Sequence, residues 1–352
     1  MKSFFRFLLL PLLLLLPSIG NACDICGCFM GVVPYERQSS IGLFHRYRAF
    51  NGYPDLGHRS RLFPAGVSWL APQAWNAGSL PGESSHLYLP GVGHHHGSSP
   101  DDFEVFRVTE LRMRWFVHNR LEVTALLPVA MNSARMDGRR LHVSGLGDPT
   151  FLAAWHVVTP NLDKKWKVRL IAGGGIKLPS GNFYATDSLG KRIEVLLQPG
   201  SGSVDKLAYT ALALGYGKWG LSMNAMAKFN GENYYGERFA PGFTSNVQAF
   251  YRLGNNPNFV VMPQLSVYAE KTAGVIYRGD RTGDHAMEAL LAGPGLDVFW
   301  KNVQFSSGLQ FRVADNPGDH TQNAGRLFFG VTWNLTRDLR LMKGKNPPEE
   351  TM

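Results

Sequence analysis

The chain of 352 residues carries a net charge of +9, and 18% of its residues are charged. Soluble globular domains average about 25% charged residues, so this composition disfavours an ordinary cytosolic enzyme. After the N-terminus no stretch comes near the roughly 18 apolar residues of a transmembrane helix, which excludes a polytopic helical membrane protein. The 36 Lys and Arg residues against 27 Asp and Glu are too dispersed along the chain to indicate nucleic-acid binding.

Residues 1–22 have the pattern of a secretory signal peptide. A positively charged start precedes a short apolar core over residues 8–17 and a small-residue cleavage site at Ala22. We therefore expect the mature chain to leave the cytoplasm. Residues 23–38 would then be a periplasmic N-terminal segment that contains all three cysteines.

From residue 39 onward, apolar residues recur at every second position, which is the period of a β-strand with one apolar and one polar face. In KWGLSMNAMAKFN (218–230) the apolar face begins with Trp219 and Leu221, and NVQFSSGLQFRV (302–313) repeats the alternation around Phe305. Applied along the chain, the pattern predicts twelve strands. They span residues 39–50, 103–117, 120–132, 145–158, 165–178, 205–217, 218–230, 243–253, 258–271, 287–300, 302–314 and 325–335.

The connections between these strands alternate in length. Bacterial outer-membrane β-barrels have this asymmetry, with short periplasmic turns and long outer loops. We therefore predict an all-β fold, a transmembrane antiparallel β-barrel of about 12 strands over residues 39–335, located in the outer membrane and followed by a polar periplasmic tail at 336–352. The predicted long outer connections are 51–102, 133–144, 179–204, 231–242, 272–286 and 315–324.

Eight aromatic residues lie near the ends of the predicted strands. Such rings form girdles at the two membrane interfaces of a barrel, although ordinary core aromatics would also fit the pattern. The eight residues are Tyr47, Trp115, Trp155, Trp166, Trp219, Tyr251, Trp300 and Trp333.

Three further segments resemble a known family of outer-membrane proteins. In residue sequence and in order along the chain, they are similar to the transporters grouped with the phenol meta-pathway, here in a variant with a Cys-rich N-terminus. The segments are SGLGDPTF (144–151), GGGIKLPSGN (173–182) and LQPGSGSVD (197–205). The resemblance covers about residues 100–335 and implies a barrel of about twelve strands with a role in transport. From the residues themselves, we interpret the glycines of these segments as sites of tight curvature rather than as a binding site.

The polar strand faces would line the barrel lumen, and they are rich in basic residues. An excess of positive charge in a confined space concentrates anions, so we predict a channel that favours small anions or organic acids. Alternatively, the arginines pair with acids and fill a narrow barrel. The acids placed in the lumen are Glu110, Glu122, Asp148, Glu270 and Asp297. The predicted basic lining is Arg46, Arg48, Arg112, Arg114, Lys165, Lys167, Arg169, Lys177, Lys228, Arg252 and Arg312.

A second hypothesis is that the protein binds metal. Three thiolates in CDICGC could hold Cu or Zn, which accept sulfur ligands, although a lipid on the first cysteine or a disulfide is an alternative. Adjacent imidazoles in the first outer connection could chelate the same metals weakly. The two clusters lie on opposite sides of the predicted membrane and so could not share one ion. The candidate ligands are Cys23, Cys26, Cys28, His94, His95 and His96.

Together these patterns predict an outer-membrane barrel through which small solutes diffuse, with membrane lipid and small anionic or organic solutes as its partners and no nucleic acid. A metal-binding barrel and a structural or adhesive barrel are the alternatives. We expect no enzyme activity. A lipid-hydrolysing barrel would need a Ser beside a lipid-facing His such as His45, and no such Ser can be assigned at a matching height.

Overall fold

The computed structural model describes residues 38–51, 103–136, 139–160, 165–254, 256, 258–281, 286–316 and 322–335. The predicted signal peptide, the CDICGC segment, the His-rich connection and the C-terminal tail lie outside the described residues. No helix in the described ranges is long and apolar enough to cross a membrane.

Within these ranges the chain forms sixteen β-strands. They are β1 (Ser40–Asn51), β2 (Phe103–His118), β3 (Leu121–Met136), β4 (Arg139–Leu146), β5 (Thr150–Val158), β6 (Trp166–Lys177), β7 (Asp205–Tyr216), β8 (Trp219–Phe229), β9 (Glu237–Phe239), β10 (Gly242–Tyr251), β11 (Phe259–Ala273), β12 (Val275–Tyr277), β13 (Asp280–Arg281), β14 (Ala286–Trp300), β15 (Val303–Asn316) and β16 (Gln322–Asn334).

Thirteen of these strands form one closed antiparallel barrel with twelve strand positions, which confirms the predicted fold. Barrel neighbours follow the order of the chain, and β1 pairs with β16 to close the cylinder. Strands β4 and β5 share one position in the barrel, because both pair with β3. Strand β5 pairs with the first half of β3, and β4 pairs with its second half. Strands β9, β12 and β13 form a separate small sheet on the connections at the long-loop end.

The period-two pattern sorts side chains between lipid and lumen as predicted. On β8, Trp219 is 65% exposed on the outside, whereas Ser222 and Lys228 are buried inside the cylinder. On β15, Phe305 is 43% exposed and its neighbour Ser306 is buried. Alternation places apolar groups towards hydrocarbon and polar groups inside, where backbone and side chains are shielded from lipid.

One predicted outer loop is wrong. Residues 133–144 are not an irregular connection, because β3 continues to Met136 and pairs with β4 from Arg139 onward. The physical reason is that the inward face of this hairpin remains apolar: Ala134 and Val143 are buried in a cluster with residues of the 179–204 connection. The hairpin therefore extends the barrel wall at the long-loop end, past the pairing of β3 with β5.

The alternative of core aromatics is wrong, and the predicted aromatic residues form an outward-facing belt at one end of the barrel rather than girdles at both. All six tryptophans of the predicted set face outward, with exposures from 45% to 65%. Seven of the eight predicted residues lie at the ends joined by short turns, which by the asymmetry of outer-membrane barrels is the periplasmic end. Tyr47 lies nearer the opposite end of β1.

Candidate functional site: the lumen and the loop in its outer mouth

Aromatic rings in the lumen lie on glycines of the neighbouring strand. Phe44 pairs directly with Gly330, Phe250 with Gly220, and Phe328 with Gly308. In each pair the ring occupies the space where a Cβ of the glycine would be. The glycines thus allow large rings to lie against the wall instead of projecting across the lumen.

Ion pairs in the lumen connect neighbouring strands and, in one case, opposite parts of the wall. Nη2 of Arg46 donates to Oε2 of Glu110 at 3.2 Å, and Arg112 also pairs with Glu110. Nη1 of Arg48 on β1 lies 2.6 Å from Oε2 of Glu270 on β11. Strands β14, β15 and β16 separate β1 from β11 around the barrel, so this pair crosses the lumen.

A second contact also crosses the lumen, from β16 to β11. The guanidinium of Arg326 on β16 lies 4.4 Å from the ring centroid of Tyr268 on β11. The Tyr268 hydroxyl in turn donates to Oε2 of Glu270 at 3.3 Å. The two arginines, the tyrosine and the glutamate form a polar bar across the lumen, defined here as Arg48, Tyr268, Glu270 and Arg326.

A third polar group lies nearer the periplasmic end. Glu122 is buried and accepts from the Tyr209 hydroxyl at 3.1 Å, and one of its oxygens lies 3.0 Å from Nε2 of His156. Arg114 lies close enough for its charge to act on Glu122. The carboxylate is therefore held by β5 and β7 as well as by its own strand.

The three segments that carry the family resemblance converge at the outer end of the lumen. Oδ1 of Asp148, from the first segment, accepts from the Gly181 amide of the second at 2.8 Å. Its Oδ2 accepts from the amide and the hydroxyl of Ser201, from the third, at 2.7 and 2.9 Å. The segments therefore do more than provide sites of tight curvature, because they also bind one another at the outer end of the lumen.

Asp205 completes this cluster. Its Oδ2 lies 2.6 Å from Nζ of Lys177 and 3.1 Å from Nζ of Lys228. Lys177 also lies 3.2 Å from Oδ2 of Asp148, so it joins the two carboxylates. We call the cluster of Asp148, Lys177, Ser201 and Asp205 the latch, because it fixes both ends of the 179–204 loop to the barrel wall.

The latched loop sits in the outer mouth of the barrel. Its Ile193 and Leu197 are buried against Phe50 and Phe106 of β1 and β2. Gly200 approaches the latch so closely that a Cβ there would lie 2.8 Å from Oδ1 of Asp148. The loop therefore narrows the entrance from outside the cell.

Beneath this loop is a cavity of about 100 Å³. The cavity lining combines apolar side chains with two basic and two acidic side chains and with polar groups of the loop. The apolar lining includes Phe106, Val108, Leu126, Leu207, Met226 and Phe239. The charged lining is Glu110, Asp148, Lys177 and Lys228.

The structure places most predicted lumen residues inside, with two corrections. Arg46, Arg48, Arg112, Arg114, Lys167, Arg169, Lys177 and Lys228 share inward-facing positions, and Arg312 lies on the same face near the outer end, where it is exposed. Lys165 and Arg252 are exposed residues of periplasmic turns, because β6 begins at Trp166 and β10 ends at Tyr251.

Sequence analysis missed several polar residues of the lumen. Asp205 and Glu104 are buried inside the barrel, and Tyr209 and Tyr268 supply hydroxyls to the lumenal glutamates. The two-residue period would have assigned Asp205 to the inside of the barrel, because it lies on the same face of β7 as Leu207 and Tyr209, which are also buried.

The metal hypothesis concerns residues outside the described ranges, namely Cys23, Cys26, Cys28, His94, His95 and His96. It therefore stays a prediction. The described residues contain no group of His, Cys, Asp and Glu suited to a metal ion. His45 faces outward as predicted, and its Nδ1 lies 2.9 Å from the hydroxyl of Thr109.

Comparison with solved structures supports the fold. An outer-membrane channel from Pseudomonas putida F1 superposes with a TM-score of 0.57 at 14% identity, covering 87% of this chain and 100% of that one. The β domain of a Bordetella autotransporter gives 0.44 at 9% identity, covering 85% and 100%. The monoaromatic hydrocarbon channel CymD gives 0.32 at 11% identity, covering 91% and 95%. The last two likenesses are too weak to bear on function. No curated protein matches the sequence significantly.

The closed barrel and its likeness in fold to a solved outer-membrane barrel define the class: this is a bacterial outer-membrane β-barrel. A family model matches residues 102–329, more than half of the chain. The chain belongs to the family described as "Putative MetA-pathway of phenol degradation". The predicted resemblance and the predicted location are thus confirmed.

Proposed function

We propose that this channel takes up small amphipathic organic solutes and favours those that carry a negative charge. The observation that supports the proposal most strongly is the cavity beneath the latched loop. Its apolar lining suits a small hydrocarbon body, and the lining also includes Lys177 and Lys228, whose ammonium groups pair with Asp205. Small-molecule sites commonly combine an apolar lining with a few placed polar groups.

Basic residues elsewhere on the lumen wall add to the preference for anions. Arg46, Arg48, Arg112 and Arg114 follow one another down β1 and β2, and Lys167 and Arg169 face inward near the periplasmic exit. Charge of one sign in a narrow lumen raises the local concentration of counter-ions. Glu110, Glu122 and Glu270 offset part of this charge, so we expect a moderate preference for anions rather than strict selectivity.

The ion pairs combine the two lumen hypotheses of the sequence analysis. The arginines pair with acids, as the narrow-barrel alternative requires, and they also lie on the lumenal face of the wall. The polar bar crosses and narrows this lumen. We therefore expect a small conductance and selection by solute size.

Uptake into liposomes tests the proposal. Vesicles containing the purified mature chain should admit benzoate several-fold faster than benzylammonium, which has a similar ring but the opposite charge. Lys167→Gln, which removes an inward-facing charge, should reduce the ratio of the two rates. Lys206→Gln is the matched control, because Lys206 is exposed on the outer face of the adjacent strand β7. Equal rates in the wild type, or faster entry of the cation, would contradict the proposal.

A further inference from the structure

We infer that the periplasmic turns form a ring of binding sites for the phosphate groups of anionic phospholipids in the inner leaflet of the outer membrane. The inference is independent of the solute that the channel carries. It rests on one arrangement that recurs around the periplasmic end, in which an outward-facing aromatic ring is followed or preceded by an exposed basic residue in the turn.

Four turns repeat this aromatic–basic couple. In every case the basic side chain is exposed and the ring belongs to the first or last residue of a barrel strand. The couples are Trp166 with Lys165, Trp219 with Lys218, Tyr251 with Arg252, and Trp300 with Lys301.

Several of the rings contact a second outward-facing ring on the adjacent strand. Trp166 and Tyr216 have ring centroids 4.8 Å apart, and Trp219 and Tyr251 have centroids 4.7 Å apart. Nζ of Lys301 lies 5.7 Å from the centroid of the outward-facing Trp300 ring. This contact places the ammonium of Lys301 on the membrane side of the turn rather than over the lumen.

A fifth turn has a related arrangement. Arg120 is exposed there, and the ring of His118 stacks on outward-facing Trp155 with an interplanar angle of 11°. The described residues of the five turns include no acidic side chain. Among the described residues of these turns, the asparagines Asn256, Asn258 and Asn302 are therefore accompanied by positive charge, whereas Asp163 in the sequence of the β5–β6 turn lies outside the described residues.

The depth of each couple fits a phospholipid headgroup. Tryptophan and tyrosine rings settle where the acyl chains meet the headgroups. One residue further along a strand is roughly 3.3 Å towards water, which is the level of the phosphates. Long basic side chains can lie along apolar surface and place their charge at that level. Each Lys or Arg near an anionic surface strengthens binding, so several couples act together.

Lipid binding by two variants of equal charge tests the inference. The first variant removes the four turn charges by Lys165→Gln, Lys218→Gln, Arg252→Gln and Lys301→Gln. The control removes four exposed charges elsewhere by Arg139→Gln, Arg140→Gln, Lys191→Gln and Lys206→Gln. Native mass spectrometry of each purified mature chain measures the retention of phosphatidylglycerol against phosphatidylcholine with the same acyl chains.

We expect the turn variant to lose roughly tenfold or more of its preference for phosphatidylglycerol, and the control to keep it. Inorganic phosphate in excess should not displace the lipid, because the aromatic half of each couple contacts the acyl region. Single substitutions Lys218→Gln and Lys301→Gln should each give a smaller loss if the fourfold variant does not fold. An unchanged preference in the turn variants, an equal loss in the control, or displacement by phosphate would overturn the inference.

Discussion

At the scale of single residues, the lumen depends on glycines that face large rings. Gly220, Gly308 and Gly330 each lie directly opposite a phenylalanine, and the ring takes the place of the missing side chain. A residue with a Cβ at these positions must push the ring away from the wall, and it can move only towards the lumen.

Gly308→Ala should therefore lower both stability and conductance. The added methyl would overlap with the ring of Phe328, and such overpacking costs about 1–3 kcal/mol of the free energy of unfolding. Thermal unfolding and single-channel recording measure the two effects. Gly215→Ala is a suitable control, since a Cβ there meets only ordinary contacts, the nearest at 3.6 Å. Equal behaviour of the two variants would refute this role of the glycine.

The ion pair between Arg48 and Glu270 gives a second prediction at this scale. Both side chains are at most 4% exposed, and breaking a buried pair by removing one partner costs about 3–5 kcal/mol. Glu270→Gln should therefore lower the stability measurably and shift the reversal potential further towards anions.

The matched control is Glu288→Gln. Glu288 pairs with Lys271 on the outer face, where both side chains are about half exposed, and such a pair contributes only about 0–1 kcal/mol. If Glu270→Gln changes neither stability nor selectivity more than this control does, the polar bar has no role in permeation.

The sequence predicts whether a side chain faces lipid or lumen, because this depends only on whether its position along the strand is odd or even. The period of two predicts that Arg46 and Arg48 face inward and that Trp219 faces lipid. It contains no information on the partner of Arg48, because Glu270 is 222 positions away and the contact depends on the diameter and stagger of the closed barrel.

At the scale of elements, the 179–204 loop is the feature that distinguishes this lumen from an open cylinder. The latch fastens both of its ends, and Ile193 and Leu197 pack against the wall between them. Because both polar and apolar side chains anchor the loop in buried positions, the loop is a fixed part of the entrance rather than a mobile surface segment.

Asp148→Ala should loosen this loop. The substitution removes the acceptors of three hydrogen bonds, from the amides of Gly181 and Ser201 and from the Ser201 hydroxyl, and leaves those donors buried. We expect faster proteolytic cleavage within 179–204 and a larger single-channel conductance.

Asp187→Ala is the control for this experiment. Asp187 lies in the same loop and accepts only from backbone amides of its own turn, at Leu189 and Lys191. An unchanged cleavage rate and conductance in Asp148→Ala would contradict the role of the latch.

Elements were predicted unevenly. The twelve strand positions of the barrel follow from alternation and turn spacing, whereas the β3–β4 hairpin was taken for a loop because its partner surface, the 179–204 connection, comes from a distant part of the chain. The three glycine-containing segments were identified in the sequence, but their convergence on Asp148 depends on tertiary contacts that no local pattern encodes.

At the scale of the whole molecule, the barrel has two different ends. The outer end carries the latched loop and the small sheet of β9, β12 and β13, and the periplasmic end carries short basic turns and a belt of aromatic rings. A solute would enter beneath the loop, pass the polar bar and leave through a basic exit.

The reversal potential of the purified mature chain in a planar bilayer, under a gradient of potassium chloride, tests this account most directly. A lumen in which arginine and lysine exceed the paired acids predicts a small conductance with chloride more permeant than potassium, and Lys167→Gln should reduce that difference. A potential that indicates potassium as the more permeant ion, or a bilayer that shows no conductance with either the wild type or Asp148→Ala, would contradict it.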